Sequence, residues 1–210
     1  KVNAHPYHLS ILGTINVINA AAAIATAFAL GKNGDTIAKG LSELGVIPGR
    51  MEVIDEGQGF SVIVDYAHEQ VSMQALMDGA AAMKPKGGKV ITLIGAEGGG
   101  RDVEKRPAIG AIAAKGSDYV VICNVDPYND PPMQIIEDIA KGATEAGAKL
   151  GKDTFCIEDR REAIAKALSL AKKGDMVLIT GKGSEQSMVL GEKKIPWDDR
   201  KVVQEELKKL

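Results

Sequence analysis

From residue 61 onward the hydrophobic positions gather in short, nearly uninterrupted blocks: Val62-Ile63-Val64, Val90–Ile94, Val120-Val121-Ile122 and Val177-Leu178-Ile179. Blocks without polar alternation mark strands covered on both faces, as in a parallel sheet. The pattern predicts strands at Met51–Asp55, Ser61–Asp65, Lys89–Ile94, Tyr119–Cys123, Thr154–Ile157 and Met176–Thr180. Helical spacing fits between them, at Gln70–Met83, Glu104–Lys115, Met133–Ala146 and Arg160–Lys172. Strand–helix–strand repetition with right-handed crossovers makes a doubly wound α/β sheet.

The two ends of the chain read differently. Val17–Leu30 is alanine-rich, free of proline and glycine, and predicts a buried helix; Asp35–Leu44 predicts a second. Gly45-Val46-Ile47-Pro48-Gly49 is turn chemistry and the best boundary in the chain. Ser187–Leu190 and Lys194–Pro196 around Gly191 predict a small hairpin, and Asp198–Leu210 a final surface helix. The chain opens Lys1-Val2-Asn3-Ala4 and runs quickly into helix, which reads as the back part of something longer.

Composition narrows the function classes. The 210 residues carry a net charge of −2 and only 4% aromatics, so neither nucleic acid nor an anionic membrane has a footprint here. The longest apolar stretch, Ala20–Leu30, is too short to span a bilayer, and no secretory signal is present, so a cytoplasmic protein is expected. Cys123 and Cys156 stand far apart without a metal-ligand pattern and read as small buried hydrophobes.

In a doubly wound sheet, ligands bind at the carboxyl ends of the strands. The unusual residues of this chain fall there: Asp65-Tyr66-Ala67-His68, the loop Gly98-Gly99-Gly100-Arg101-Asp102 leading to Lys105-Arg106, Asn124–Asp130, and Gly181-Lys182-Gly183-Ser184-Glu185. Each has a plainer explanation. Asp65 can cap the next helix, His68 can be a surface residue, Lys105 and Arg106 can be solvated helix charges, and Asp126-Pro127-Tyr128 can be only a turn. Gly181-Lys182-Gly183 lacks the spacing of a Walker A loop. Convergence on one rim favours a site, and the glycines and cations favour a phosphorylated or carboxylated ligand.

The ordered set Gly13–Ala20, Pro48-Gly49-Arg50-Met51-Glu52, Val64–His68, Gly99–Asp102 with Lys105-Arg106-Pro107, Asp126-Pro127, Gly181-Lys182-Gly183-x-Glu185 and Pro196–Arg200 resembles the C-terminal part of the Mur ligases, most closely the UDP-N-acetylmuramoyl-tripeptide synthetases. The resemblance spans nearly the whole chain. It implies that residues 1–48 are the helical tail of a central ATPase domain and 49–210 a complete Rossmann-like C-terminal domain, with a mostly parallel sheet and helices on both faces. It implies a reaction in which ATP activates a carboxylate of a UDP-N-acetylmuramoyl-peptide as an acyl-phosphate and the amine of a free amino acid attacks it. ATP and Mg2+ would be bound mainly by the central domain, and the protein would be a monomer.

Carried over by position, the resemblance makes Asn19 an adenine contact and Asp65 the carboxylate on the ribose hydroxyls. His68, Arg101 and Lys105 lie where phosphates and the incoming amino acid would meet, with Arg101 as a carboxylate clamp. Asp126, Tyr128 and Asp130, with Gly183 and Glu185, would select the amino acid, Glu185 receiving the side-chain ammonium of lysine or diaminopimelate. The resemblance supplies no catalytic residue and no metal ligand within these residues. Departures are present: Tyr128 replaces an arginine common in diaminopimelate-adding enzymes, Ser184 replaces a histidine, Ile15 replaces another, and Glu69-Gln70 replaces threonine-proline. A neutral phenol in place of a charged fork loses about 2 kcal/mol against a second carboxylate, which favours lysine. A folylpolyglutamate-synthetase-type amide ligase and a non-catalytic nucleotide- or amino-acid-binding module are the alternatives.

Overall fold

The computed structural model describes residues 6–210, so the first five residues of the expected 1–48 segment lie outside it. Two helices come first, α1 (Thr14–Ala29) and α2 (Gly34–Ser42). A sheet follows with strands β1 (Glu52–Ile54), β2 (Ser61–Val64), β3 (Val90–Ile94), β4 (Tyr119–Ile122), β5 (Thr154–Cys156) and β6 (Met176–Ile179). Its helices are α3 (Gln70–Met83), α4 (Lys105–Gly116), α5 (Pro132–Glu145) and α6 (Arg160–Leu170). The hairpin β7 (Ser187–Leu190) and β8 (Lys193–Pro196) precedes α7 (Asp199–Leu207).

Strand order is β1-β2-β6-β3-β4-β5, all parallel except the antiparallel edge strand β1. Side chains alternate between two cores, as the period-two geometry of a strand requires. Ile63, Ile94, Ile122 and Leu178 meet α3, α4 and α5 on one face. Val62, Leu93, Val121 and Val177 meet α6 and α7 on the other. Thr92, fully buried in β3, is satisfied by Ser117 Oγ at 2.7 Å.

A change in the face taken by the connections places the functional region. The loops leaving β2, β3 and β4 enter helices on the first face, whereas the loops leaving β5 and β6 lead to the second. At its carboxyl end β6 therefore stands between two strands whose loops turn the other way, and a crevice opens there.

Two expectations need correction. The alanine-rich helix is not buried: within α1 only Asn16 and Ala20 are, while Val17, Ile18 and Phe28 are exposed. Its small cluster with α2, built on Ala20, Ile37 and Leu41, is too thin to cover a helix that is apolar nearly all round. The last helix is more than a surface element, since Val202, Val203 and Leu207 bury one face of it in the second core. Among the described residues no helix is long and apolar enough to cross a membrane.

Candidate functional site

Four loops close over the carboxyl end of β6. Asp65 ends β2 and does not cap α3, whose N-cap is Glu69. Its Oδ1 accepts from Ala67 N at 2.8 Å and its Oδ2 from Met51 N at 2.9 Å. The second bond holds Met51 at φ 50, a left-handed value that is costly for a side chain of this size. Arg50, beside it, lays its guanidinium 4.5 Å from the centre of the Tyr66 ring. Gly49 is packed against the backbone of Gly183 so closely that neither position has room for a side chain.

Tyr66 joins two of the loops. Its hydroxyl donates to Glu185 Oε1 at 2.9 Å, and burial together with that carboxylate pushes the phenol up to about 12. The Tyr66 carbonyl faces His68 Nδ1 at 2.8 Å, so Nδ1 carries the proton and Nε2 is left toward Glu69 Oε1, 3.5 Å away.

Three buried cations lie on the rim, each held between two carboxylates. Lys105, 3% exposed, donates to Glu69 Oε1 at 2.6 Å and Glu97 Oε2 at 3.0 Å. Arg106 donates to Asp138 Oδ2 at 2.9 Å and lies 3.6 Å from Asp130 Oδ2. Lys182, 1% exposed, pairs with Asp126 Oδ2 at 2.8 Å and with Glu185. Burial alone would raise Glu97, but hydrogen bonds from Lys105 and the backbone outweigh it and hold the carboxyl below its ordinary range. Burial alone would lower Lys105, and its two glutamates outweigh that in turn, holding it above the usual lysine value. The solvated-charge explanation of Lys105 and Arg106 therefore fails, because α4 starts inside the rim and not on the surface.

Arg101 differs from all three. It is exposed, has no carboxylate partner among the described residues, and donates from Nη2 to the Tyr128 hydroxyl at 3.1 Å. Tyr128 itself sits at φ 51, and its ring faces Gly99 so closely that a Cβ there would lie 3.1 Å away. Gly98 N donates to the Asp126 carbonyl at 2.8 Å, and Gly99 N to Asp130 Oδ2 at 3.1 Å. The glycine loop and the 124–130 loop thus form one unit, and the Asp126-Pro127-Tyr128 turn is also part of the rim. Asp126 is turned inward, its Oδ1 accepting from Val189 N at 2.7 Å.

Of the residues singled out from sequence, Asp65, His68, Arg101, Lys105, Asp126, Tyr128, Asp130, Gly183 and Glu185 come together on this rim. Asn19 does not join them by any hydrogen bond; it is exposed on α1 and donates to Asn16 Oδ1 at 3.3 Å. Sequence reasoning passed over Tyr66, Glu97 and Asp138, which hold the rim together. Tyr66 lay inside a motif already noticed. Glu97 and Asp138 had no local signal, since their partners are eight and thirty-two residues away.

Comparison with known proteins identifies the family. The family model described as Mur ligase, glutamate ligase domain, matches residues 49–183, more than half of the chain. A UDP-N-acetylmuramoyl-L-alanyl-D-glutamate–2,6-diaminopimelate ligase of Solibacter usitatus is 40% identical over 94% of this chain and 39% of its own length. A UDP-N-acetylmuramyl-tripeptide synthetase of Treponema denticola is 41% identical over 91% of this chain and 36% of its own. A solved structure of a UDP-N-acetylmuramoyl-L-alanyl-D-glutamate–2,6-diaminopimelate ligase superposes with a TM-score of 0.69 at 28% identity, covering 97% of this chain and 40% of that one. The chain spans about two fifths of the length of the curated relatives it matches. It belongs to the Mur ligase family, and its α/β fold is that of the family's C-terminal domain.

Proposed function

We propose that this Mur ligase domain presents the amino acid in an ATP-dependent ligase that extends a UDP-N-acetylmuramoyl-peptide by one diamino acid, in peptidoglycan precursor synthesis. The observation that carries this reading is the contrast between Arg101 and its neighbours. Lys105, Arg106 and Lys182 are each neutralised by two carboxylates, while Arg101 is free of any and stands at the mouth. A guanidinium so placed grips the α-carboxylate of an amino acid with two parallel hydrogen bonds. The carboxylate surplus around it favours the ammonium groups at the other end.

The residues present fit one part of a nucleotide. Asp65 keeps a spare lone pair on each oxygen after its two backbone bonds, enough for a vicinal diol, with His68 beside it. Asn19 is assigned to the adenine. The 210 residues contain no G-x-x-x-x-G-K-[ST] loop to cradle a triphosphate. In this reading ATP and Mg2+ are held by a central domain whose tail is residues 1–48. ATP, when bound, supplies the phosphoryl group that activates the acceptor carboxylate. What this domain does is orient: Arg101 fixes the amino acid, Tyr66 fixes Glu185, and Tyr128 fixes Arg101. A cytoplasmic monomer fits the same reading.

Tyr128 favours lysine as the amino acid added, since no second cation touches Tyr128 to take a distal carboxylate. The Solibacter relative carries diaminopimelate in its name, so the choice is open to direct test. The full-length chain bearing this domain is given UDP-N-acetylmuramoyl-dipeptide, Mg-ATP and amino acids one at a time, and ADP release is followed. Turnover with lysine is expected, with Arg101→Ala raising the amino-acid KM at least tenfold. Turnover with diaminopimelate alone overturns the Tyr128 argument. No turnover with any amino acid moves the reading to a folylpolyglutamate-type ligase, tested with folate and glutamate, or to a binding module.

A further inference from the structure

The motif Pro48-Gly49-Arg50-Met51-Glu52 belongs to the family signature, yet none of its side chains has a part in the proposed amino-acid site. It folds as a turn, Arg50 N donating to the Ile47 carbonyl at 3.1 Å, and delivers the chain into β1. Carboxylates pin it at both ends. Met51 N is held by Asp65, and Gly49 N donates to Glu52 Oε2 at 2.7 Å. Glu52 is itself fixed. It opens β1 opposite Val64, and its Oε2 lies 3.9 Å from Arg200 Nη1. That guanidinium is locked on Asp198 by two hydrogen bonds of 2.8 and 2.7 Å.

Two parts of the rim lean on this turn. The backbones of Gly49 and Gly183 are in contact, and a Cβ on Gly183 would also lie 2.7 Å from that of Tyr66. Arg50, next in the chain, covers the Tyr66 ring. The turn is therefore a wall against which Tyr66 and the 181–185 loop are seated, and these two carry the Tyr66–Glu185 hydrogen bond. Among the described residues no hydrogen bond joins the turn to the 181–185 loop, so the seat is made by contact alone. Such a seat is only as well placed as the turn behind it. Without Glu52 the Gly49 N–H loses its acceptor, at a glycine whose φ of 62 leaves the backbone free to take other conformations.

We propose that Glu52 is a positioning residue for amino-acid selection: by holding Gly49 N it seats the 181–185 loop and so places the Glu185 carboxylate. This rests on the reading of Glu185 as the acceptor of a side-chain ammonium. Glu52 itself touches no ligand and takes no part in the chemistry.

The test compares Glu52→Ala with Glu52→Gln, which lacks the charge but keeps an oxygen to accept from Gly49 N. Glu52 is a partly exposed residue of an edge strand, and both variants are expected to fold. In this chain, with the tyrosines labelled at the phenolic carbon for NMR, the wild-type Tyr66 phenol is expected to titrate at about 12. Glu52→Ala brings it down by about one pH unit, as Glu185 moves away, and shifts the amides of residues 183–185. Glu52→Gln leaves both as in the wild type, which a loss of charge alone would not do. In the full-length ligase Glu52→Ala raises the amino-acid KM about fivefold while kcat holds. Unchanged Tyr66 and 183–185 signals in Glu52→Ala, Glu52→Gln behaving as Glu52→Ala does, or an unaltered amino-acid KM each overturn the proposal. A wild-type enzyme that accepts no amino acid fails the reading of Glu185 instead, and the two spectroscopic readouts then decide the seating of the loop by themselves.

Discussion

Arg160 and Lys105 are both basic side chains buried at the carboxyl edge of the same sheet, and they do opposite things. Every partner of Arg160 is fixed: Asp199 is itself 0% exposed, and the Thr180 and Asn124 carbonyls belong to strand ends. Trp197 Nε1 donates to the same Asp199 oxygen at 2.8 Å, and Cys123 Sγ lies 3.3 Å from Arg160 Nη1. Burial pushes the Cys123 thiol up to about 11, so it stays neutral beside the guanidinium. Arg160, Asp199 and Cys123 are all closed to water. Lys105, by contrast, shares itself between buried Glu97 and a Glu69 side chain that is 52% exposed. Lys182 is divided in the same way between Asp126 and a Glu185 that is 37% exposed. A charge enclosed by fixed partners ties strands, helix and hairpin together. One whose second partner reaches solvent can exchange that partner for a ligand.

The contrast breaks most visibly at Asp199. Asp199→Ala strands a guanidinium with no water to replace its partner and is expected to cost about 3–5 kcal/mol, read as a fall of roughly 10 °C in the thermal midpoint. Lys105→Met is expected to cost less, about 1–3 kcal/mol in urea denaturation, because Glu69 swings into solvent and only Glu97 is left poorly paired.

Acid sharpens the same point. Glu97 and Asp198 are held below their ordinary range, so each contributes stability that is present above the unfolded value, about 4, and is lost as pH falls through the lower folded one. Lys105, held above its ordinary value, contributes below about pH 10.4 and loses that contribution only as pH rises through the raised value. The wild type is expected to lose stability on going from pH 5 to pH 3, and Lys105→Met to lose less over the same interval. Equal acid sensitivity would mean that Lys105 does not set the Glu97 ionisation.

Smaller effects follow at the rim and the surface. Tyr66→Phe removes one hydrogen bond to Glu185, about 1 kcal/mol, and Glu185→Gln is expected to bring the Tyr66 phenol down from about 12, read by absorbance at 295 nm. Lys39→Ala breaks an exposed i,i+4 pair with Glu43 and is expected to change stability by only a few tenths of a kcal/mol.

Much of this molecule was legible before folding was considered. Blocks such as Val120-Val121-Ile122 announced strands to within a residue, because a strand buried on both faces holds few polar positions. The order of strands and helices then brought the polar loops to one edge without further information. Misplaced expectations came from position in space. The composition of α1 suggested burial, but whether a helix is covered depends on what packs against it, and within the described residues only a thin cluster does. Lys105 looked like an ordinary first-turn charge because its glutamates lie eight and thirty-six residues away.

By itself, the sequence determined the α/β class, the polar rim and its family signature, since these rest on periodicities and short motifs that adjacent residues carry. Only the tertiary structure decided which charges are spent and which are free. It paired Lys182 with Asp126 across fifty-six residues and Arg160 with Asp199 across thirty-nine, and it left Arg101 without a carboxylate. The reason is physical: ionic state and availability depend on distance and desolvation, and both are properties of neighbours in space.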